Sequence, residues 1–327
     1  MKQRKEYQIL IVGKKPYTGK NRRGIGGVGI HVTRLIEWLE LSDVNYSFYD
    51  LSLFNFFTFV HNISLSKCAH LHSSSPYFRL LFSIVCRITK TNSICTYHGD
   101  LGRFSVIKNY CDFLSIRFMD YPIVLNEFSL EKAIKKNSRS LLISAYIPPT
   151  NKEELNKQLI KRVSNFRERY KKIIVTNAFA MNYDKNGEEI YGIKILVEIV
   201  QTIPNVGLII SDASGDYSKF YANQSIKNVL FINEPHPFVC ILPFADAFIR
   251  NTSTDGDSLS IHEALEYGLP VITTDAVSRP AGCIVINKGD HTALKDTIIS
   301  LSNLDKKKEK KNNYNVELFN FYREVVL

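Results

Sequence analysis

Three glycines, Gly24, Gly26 and Gly29, have the G-x-G-x-x-G spacing of a phosphate-binding loop. Such a loop directs backbone N–H groups and a helix N-terminus at a phosphate. Asp50 ends a strand-like stretch about 20 residues farther along, where a dinucleotide-binding fold places the acid that holds a ribose. An NAD-dependent oxidoreductase is therefore one interpretation of this pattern.

The position of the glycines favours a different ligand. The first apolar run, Tyr7–Val12, ends about a dozen residues before Gly24, whereas a dinucleotide fold places its first glycine directly after the strand. We therefore expect a long excursion whose last glycines, Gly26, Gly27 and Gly29, begin a helix and contact some other phosphate. Asp50 is then expected only to end its strand.

A second candidate site lies in the segment RNTSTDGDSLSIHEALEYGLPVITTD, residues 250–275. Asp255 falls in a glycine-containing loop, and Glu263 falls on the helix behind it. Open α/β sheets bind ligands at the carboxyl ends of their strands. There a loop carboxylate can contact sugar hydroxyls, a helix carboxylate a ribose diol, and the N–H groups of Ser258 and Leu259 a diphosphate.

Simpler interpretations of the same residues stay open. Ser260 and Glu263 have the spacing of a helix capping box. Asp255 can be a turn former before Gly256, and Arg250 can be an ion-pair partner of Asp255 or Asp257. We interpret the formal D-x-D match at Asp255–Asp257 as coincidence and expect no metal site there.

Strand-like and helix-like segments alternate along both halves of the chain, which predicts two doubly wound parallel sheets facing across a cleft. The predicted domains are residues 1–150, residues 151–312, and a terminal amphipathic helix at 313–327. The expected strands are Tyr7–Val12, Asn45–Asp50, Lys67–Ser74, Asn92–Gly99, Tyr121–Asn126, Lys171–Phe179, Asn205–Ala213, Lys227–Glu234, Phe244–Thr252, Gly268–Asp275 and Gly282–Asn287.

The charge is unevenly distributed along the 327 residues. The net charge is +10, and residues 1–150 carry all of it, with 20 Lys and Arg against 10 Asp and Glu. A basic domain suggests an anionic partner such as a lipid surface, whereas no recognisable nucleic-acid module is present. No apolar run reaches the ~18 residues of a membrane span. The six cysteines show no metal-like spacing, so we expect reduced thiols in a cytoplasmic protein.

Several segments together resemble the family 4 retaining glycosyltransferases (glycosyl transferases group 1), of the type that builds bacterial surface polysaccharides. The part EALEYGLPVITTD is similar to the end of the family's Glu-x7-Glu segment, GGVGIHV to its glycine loop, and TYHGDLG to its T-x-H-G. The segment NAFAMNYDKNGEEIYGIKILVEIV resembles the opening of its second domain. The resemblance covers most of the chain and implies the GT-B fold, with the terminal helix packing back toward the first domain.

The resemblance implies transfer of a hexosyl or N-acetylhexosaminyl group from a nucleotide sugar, with retention and without a metal or other cofactor. The base is expected to be uracil, with guanine as the alternative. Asp255 would orient the sugar, Glu263 the ribose, and His98 would line the acceptor side. Gly26, Gly27, Ser258 and Leu259 would contact the diphosphate.

Two departures from the family pattern affect the site. The first acid is Asp255 in place of Glu, and Tyr191-Gly192 stands where the family has Lys-Gly, so the lysine that neutralises the diphosphate is missing. Arg250 and Arg279 are the nearest substitutes, and Arg250 is the one we expect to act. The missing lysine leaves a non-catalytic nucleotide-sugar-binding protein as a further alternative.

The acceptor is expected to be a saccharide or a lipid-linked saccharide. The apolar segment Leu51–Leu65 lies in the basic half, near five basic residues of the first loop, Lys14, Lys15, Lys20, Arg22 and Arg23. Together they can dock on an anionic membrane at the inner face of the cell. The alternative is that Leu51–Leu65 is an internal helix of a larger core.

Overall fold

The computed structural model describes residues 7–14, 26–42, 44–150, 154–184, 186–301 and 315–325. The described residues divide into two compact units. The first unit takes in those up to Thr150 together with 315–325, and the second takes in 154–301. Outside the described residues lie four of the five basic residues expected beside the apolar segment, namely Lys15, Lys20, Arg22 and Arg23. Gly24 and the Lys-rich run 305–313 lie outside them as well.

The first unit is built on a parallel sheet with strand order β2-β1-β3-β4-β5-β6. Continuous apolar runs such as Ile9–Val12 form its strands because helices cover both faces of a parallel sheet. The strands are β1 (Tyr7–Gly13), β2 (Tyr46–Asp50), β3 (Ser66–His72), β4 (Asn92–Tyr97), β5 (Tyr121–Val124) and β6 (Leu141–Leu142). The helices are α1 (Gly27–Leu41), α2 (Phe56–Leu65), α3 (Pro76–Thr89), α4 (Val106–Phe118) and α5 (Glu127–Ile134).

The second unit repeats this plan with the strand order β12-β11-β10-β7-β8-β9. All of its strand pairs are parallel. Its strands are β7 (Lys172–Ala178), β8 (Val206–Asp212), β9 (Val229–Ile232), β10 (Ala247–Arg250), β11 (Val271–Thr274) and β12 (Cys283–Ile286). Its helices are α6 (Lys157–Glu168), α7 (Ile193–Gln201), α8 (Asp216–Phe220), α9 (Leu259–Glu266) and α10 (His291–Ser300). Two parallel sheets with interleaved helices confirm the predicted α/β class.

The apolar segment Leu51–Leu65 has two different faces. It forms a 3-10 turn at Leu51–Leu53 and then α2, where Phe59 and Ile63 are fully buried four residues apart. Leu53 and Phe57 remain 79% and 82% exposed. The segment is therefore a core helix on one side and an apolar surface on the other.

The last helix, α11 (Asn315–Val325), packs into the core of the first unit. Leu318, Phe321 and Tyr322 are buried in the same apolar cluster as Ile9 and Leu35. The hydroxyl of Tyr322 is hydrogen-bonded to His70 of β3. Helix α11 thereby shares one core with β1 and α1.

None of the described helices has the length and apolar character that a bilayer-spanning helix requires. All six cysteines lie in the described ranges, and none forms a disulfide. Burial raises the pKa of the Cys95 thiol to about 12 and that of Cys283 to about 11. These thiols are therefore protonated at neutral pH.

Candidate functional site

The carboxyl ends of three strands of the second unit meet at one cluster of polar side chains. Asn177 lies near the end of β7, Arg250 is the last residue of β10, and Thr274 is the last residue of β11. Helix α9 begins beside them, with Ser258 as its N-cap residue. This is the edge at which open α/β sheets bind ligands.

Asp255 lies at the centre of this cluster, held by two arginines. Nε and Nη2 of Arg250 donate to its two carboxylate oxygens at 3.0 and 3.3 Å. Nη1 of Arg279 donates to Oδ2 at 3.1 Å. Thr252 Oγ1 and the Gly256 N–H also donate to this carboxylate. The ion pair that was one of the open interpretations of Arg250 is thus present, and Arg279 joins it.

The two arginines are anchored on the strand ends. Arg250 donates through Nη1 to the main-chain oxygen and the side-chain oxygen of Asn177, at 3.1 and 3.2 Å. Its guanidinium also lies over the ring of Tyr191, 4.9 Å from the centroid. Arg279 donates to the main-chain oxygen of Thr274 at 2.8 Å. Both guanidiniums therefore have fixed orientations.

The charges of this cluster do not cancel. Burial alone would raise the pKa of Asp255, but Arg250 and then Arg279 hold it below its ordinary value. Asp255 is therefore a carboxylate at neutral pH, and two guanidiniums share one negative charge. Among these three side chains the guanidiniums exceed the carboxylate by one positive charge, and a guanidinium attracts an anion.

Helix α9 adds N–H groups to the same edge. The first N–H groups of a helix have no acceptor within the helix, and here they belong to Ser258, Leu259 and Ser260. Ser258, not Ser260, is the N-cap residue, so the Ser260–Glu263 capping box is wrong. Ser260 lies inside the helix, and its hydroxyl donates to Asn177 Oδ1 at 3.0 Å. Glu263 is buried on the same helix.

At the start of α7, near the position where the family has a lysine, a carboxylate of the chain itself caps the helix. Gly192 adopts a left-handed conformation with φ of +57°, and the helix begins only at Ile193. The carboxylate of Glu189 accepts hydrogen bonds from the N–H groups of Ile193 and Lys194, both at 3.0 Å. The chain's own carboxylate therefore occupies this helix N-terminus. A glutamate just before a helical pattern was the signal that could have predicted this cap.

The first unit holds the other predicted residues. Gly26 is the N-cap of α1 and Gly27 its first residue, so the glycines begin the helix as expected. A Cβ placed on Gly27 would meet no atom of the described residues within 4 Å. Asp50 ends β2, and its carboxylate accepts hydrogen bonds from the N–H and hydroxyl of Ser52. It therefore caps the following turn.

His98 does not lie alone. It follows β4, and its Nε2 lies 3.2 Å from Nδ1 of His72, the last residue of β3. The ring of His31, in the first turns of α1, lies 4.8 Å from that of His72 and 5.2 Å from that of His98. The sequence singled out His98 only, because the three histidines belong to three separate elements.

The predicted site residues thus form two groups. Asp255, Arg250, Ser258, Leu259 and Glu263 belong to the carboxyl edge of the second sheet. Gly26, Gly27 and His98 belong to the carboxyl edge of the first. Arg279, Asn177, His31 and His72 join these groups and were not predicted as site residues, although Arg279 had been considered as a substitute cation.

No family model and no curated protein matches the chain, whereas many solved structures do. HepE from Anabaena, in complex with UDP, is 15% identical, with 90% of each chain covered and a TM-score of 0.66. Sucrose-phosphate synthase from Thermosynechococcus elongatus is 13% identical, with 97% of this chain and 99% of that chain covered and a TM-score of 0.64. An α,α-trehalose-phosphate synthase (UDP-forming) from Burkholderia xenovorans, with glucose-6-phosphate, is 10% identical, with the same coverage and a TM-score of 0.68. The chain therefore has the α/β GT-B fold of these structural neighbours, which are glycosyltransferases.

Proposed function

We propose that the protein is a glycosyltransferase that moves a hexosyl or N-acetylhexosaminyl group from a uridine-linked nucleotide sugar to a saccharide-containing acceptor, with retention at the anomeric carbon. The fold supports this proposal, since structural neighbours bind UDP, UDP-glucose or a phosphorylated sugar. The observation that carries it is the Arg250–Asp255–Arg279 cluster at the N-terminus of α9.

The cluster is suited to a nucleoside diphosphate leaving group. As the bond between the anomeric carbon and the phosphate oxygen breaks, negative charge develops on the diphosphate. Fixed guanidiniums and helix N–H groups stabilise such charge without reorganising during the reaction. In this proposal Arg250 and Arg279 supply the positive charge at the diphosphate, and no metal ion is needed there.

The other residues of the second unit take roles around the same leaving group. The N–H groups at Ser258 and Leu259 contact the diphosphate, and Glu263 holds the ribose diol. In the first unit, Gly26 and Gly27 are the proposed N–H donors to a phosphate, and His98 is proposed to line the acceptor side. Asp255 orients the sugar indirectly by fixing Arg250, since both of its carboxylate oxygens accept hydrogen bonds from protein groups.

We also propose that the acceptor is amphiphilic, as in surface polysaccharide synthesis, and that the first unit docks on an anionic membrane from the cytoplasmic side. Leu53 and Phe57 expose apolar side chains before and at the start of α2, and Val106 and Ile107 do so at the start of α4. Both helices lead back to parallel strands, so both begin at the carboxyl edge of the sheet. Exposed apolar side chains on a basic unit favour an anionic bilayer.

A binding screen tests the donor site. Thermal shifts are measured with UDP, GDP, dTDP, ADP and NAD, because a ligand of the folded state raises the melting temperature. We expect UDP to give the largest shift and Arg279→Gln to weaken its binding by about 10- to 100-fold, the worth of one charged hydrogen bond. Arg162→Gln is the matched control, since Arg162 forms a half-exposed ion pair with Glu234 in the same unit.

The alternatives give different outcomes in the same screen. A shift with NAD alone would identify a dinucleotide-binding protein and overturn the proposal. UDP binding without release of sugar to water or to any acceptor would identify a non-catalytic nucleotide-sugar-binding protein. For an active protein, the anomeric proton coupling of the product in NMR distinguishes retention from inversion.

Sedimentation with vesicles tests the membrane part separately. We expect wild-type protein to pellet with phosphatidylglycerol vesicles at low salt and Phe57→Ser/Ile107→Ser to remain in the supernatant. Ile299→Ser, at an exposed position of the second unit, is the control. Equal pelleting of the wild type and the double variant would show that these side chains do not dock.

A further inference from the structure

Three histidines of the first unit surround one point at the carboxyl edge of its sheet. His31, His72 and His98 each offer one ring nitrogen, and these nitrogens lie within 4.8 Å of one another. Their ring centroids are separated by 4.8, 5.2 and 5.5 Å. We propose that these three side chains bind a divalent transition-metal ion, with Zn²⁺ as the best-suited metal.

The spacing of the nitrogens is that of a coordination sphere. Zinc binds imidazole nitrogen at about 2.0–2.1 Å in tetrahedral geometry, so two bound nitrogens lie about 3.3 Å apart. Nδ1 of His72 and Nε2 of His98 are already 3.2 Å apart. A short movement of His31 would complete a set of three imidazoles, the ligand type that suits zinc, copper and nickel.

A second observation concerns the environment of His72. This side chain is almost fully buried, and its Nδ1 faces Nε2 of His98. Its other nitrogen, Nε2, has no hydrogen-bond partner in the described part of the chain, but it is not the nitrogen that this geometry offers to the metal. The neighbouring His70 differs, because its two nitrogens are hydrogen-bonded to Tyr322 and Thr96. His70 is therefore a packing partner and not a fourth ligand.

The surroundings also resemble those of a metal site. Metal-binding histidines commonly donate their other ring N–H to a main-chain oxygen, which fixes the ring. Nδ1 of His31 lies 2.6 Å from the main-chain oxygen of Ala145. In the tautomer with a proton on Nδ1, this contact directs the lone pair of Nε2 away from the oxygen.

Two cations lie near the histidines. Arg79 forms a buried ion pair with Asp112, so its charge is balanced. Arg103 donates from Nη2 to the main-chain oxygen of His98 at 3.3 Å and does not contact the ring nitrogens through this bond.

This inference goes beyond the proposed transfer reaction and does not depend on it. Three protein ligands leave a fourth position on a tetrahedral zinc ion, which water or a hydroxyl group can take. The donor cluster of Arg250 and Arg279 belongs to the other unit and involves none of these histidines. The family resemblance implies no metal, so a metal here would be a property of this chain's own residues.

The test measures metal binding directly, on full-length protein purified without a histidine tag. After chelator treatment and dialysis, added Zn²⁺ is quantified by mass spectrometry and titration calorimetry. We expect one zinc per chain, and His98→Gln should weaken binding by more than about 10-fold, the loss caused even by altering an outer partner of a metal site. His61→Gln is the control, because His61 is exposed on α2 of the same unit.

Cobalt gives a readout that does not depend on a variant folding correctly. Co²⁺ added to the wild type should produce the intense visible absorption of a tetrahedral site, and Zn²⁺ should abolish it. The proposal is overturned if the wild type gives only the weak spectrum of aqueous Co²⁺. It is equally overturned if His98→Gln retains wild-type zinc affinity. UDP binding is measured on the same samples, so loss of the donor site would be recognised separately.

Discussion

Arg250 binds Asp255 through two nitrogens, with Nε 3.0 Å from Oδ2 and Nη2 3.3 Å from Oδ1. The pair spans five residues, from the end of β10 into the loop before α9, so it fixes that loop to the sheet. Arg279 binds the same carboxylate from the loop after β11. Asp255 therefore acts on the proposed donor through the two arginines that it positions.

Asp255→Asn should destabilise the protein and abolish nucleotide binding. The substitution leaves two buried guanidiniums without a counter-charge, and breaking a buried ion pair costs about 3–5 kcal/mol. The free energy of unfolding by urea and the UDP-induced thermal shift measure the two effects. Asp296→Asn is the control, because Asp296 is exposed on α10. A stable Asp255→Asn protein that still binds UDP would contradict this account of the cluster.

The stability conferred by Asp255 should disappear in acid. Its pKa in the folded protein lies below the ordinary value, whereas in the unfolded chain it is about 3.9. Its contribution is therefore fully present above about pH 4 and is lost as the pH falls through the folded-state pKa. The difference in unfolding free energy between the wild type and Asp255→Asn should be constant from pH 7 to 5 and shrink toward pH 3. A difference that grows on acidification would refute the assigned pKa shift.

Much of the fold could be predicted because it depends on local patterns. Buried parallel strands are continuous apolar runs, as in Ile9–Val12, and each predicted strand overlaps an observed one. The proximity of Arg250 and Asp255 could also be predicted, since both lie within one short segment at the end of a strand. Ends of elements were less well predicted: Ser260 fits an N-cap by residue type, but its hydroxyl instead binds Asn177.

Contacts between distant segments could not be predicted in the same way. Arg279 reaches Asp255 only because β10 and β11 are neighbours in the sheet. His31, His72 and His98 come together because β1, β3 and β4 are adjacent and end at the same edge. A single histidine in each segment carries no sign of the other two, so only the strand order reveals the cluster.

Gly192→Ala should disturb the donor cluster as well as α7. Gly192 has φ of +57°, and an added Cβ would clash with the main-chain oxygen of Asn251, next to Arg250. Gly187→Ala is the matched control, because Gly187 has φ of +81° and a Cβ there meets no described atom within 4 Å. The control should lose about 1–2 kcal/mol for the left-handed conformation alone. Gly192→Ala should lose more and weaken UDP binding; equal losses in urea unfolding would show that the clash relaxes freely.

Breaking the buried ion pair Arg79–Asp112 should lower the free energy of unfolding far more than replacing both of its residues with apolar side chains. Arg79 Nη1 lies 2.7 Å from Asp112 Oδ1, and both side chains are almost completely buried. The guanidinium also covers the ring of Tyr97 at 4.8 Å. Burial raises the pKa of Asp112, although Arg79 opposes the change, and its Oδ2 has no hydrogen-bond partner among the described residues. The carboxylate therefore depends on the arginine for its charged form.

Arg79→Met should lower the free energy of unfolding by about 3–5 kcal/mol, because it leaves a buried carboxylate alone. The double variant Arg79→Met/Asp112→Leu should recover most of this loss, since apolar side chains of similar volume replace both charges. Urea unfolding of the wild type, both single variants and the double variant gives the coupling energy. Additive losses in the double variant would show that the two side chains contribute independently. Recovery would show that their charges matter mainly to each other, and that the core of the first unit tolerates an apolar pair in their place.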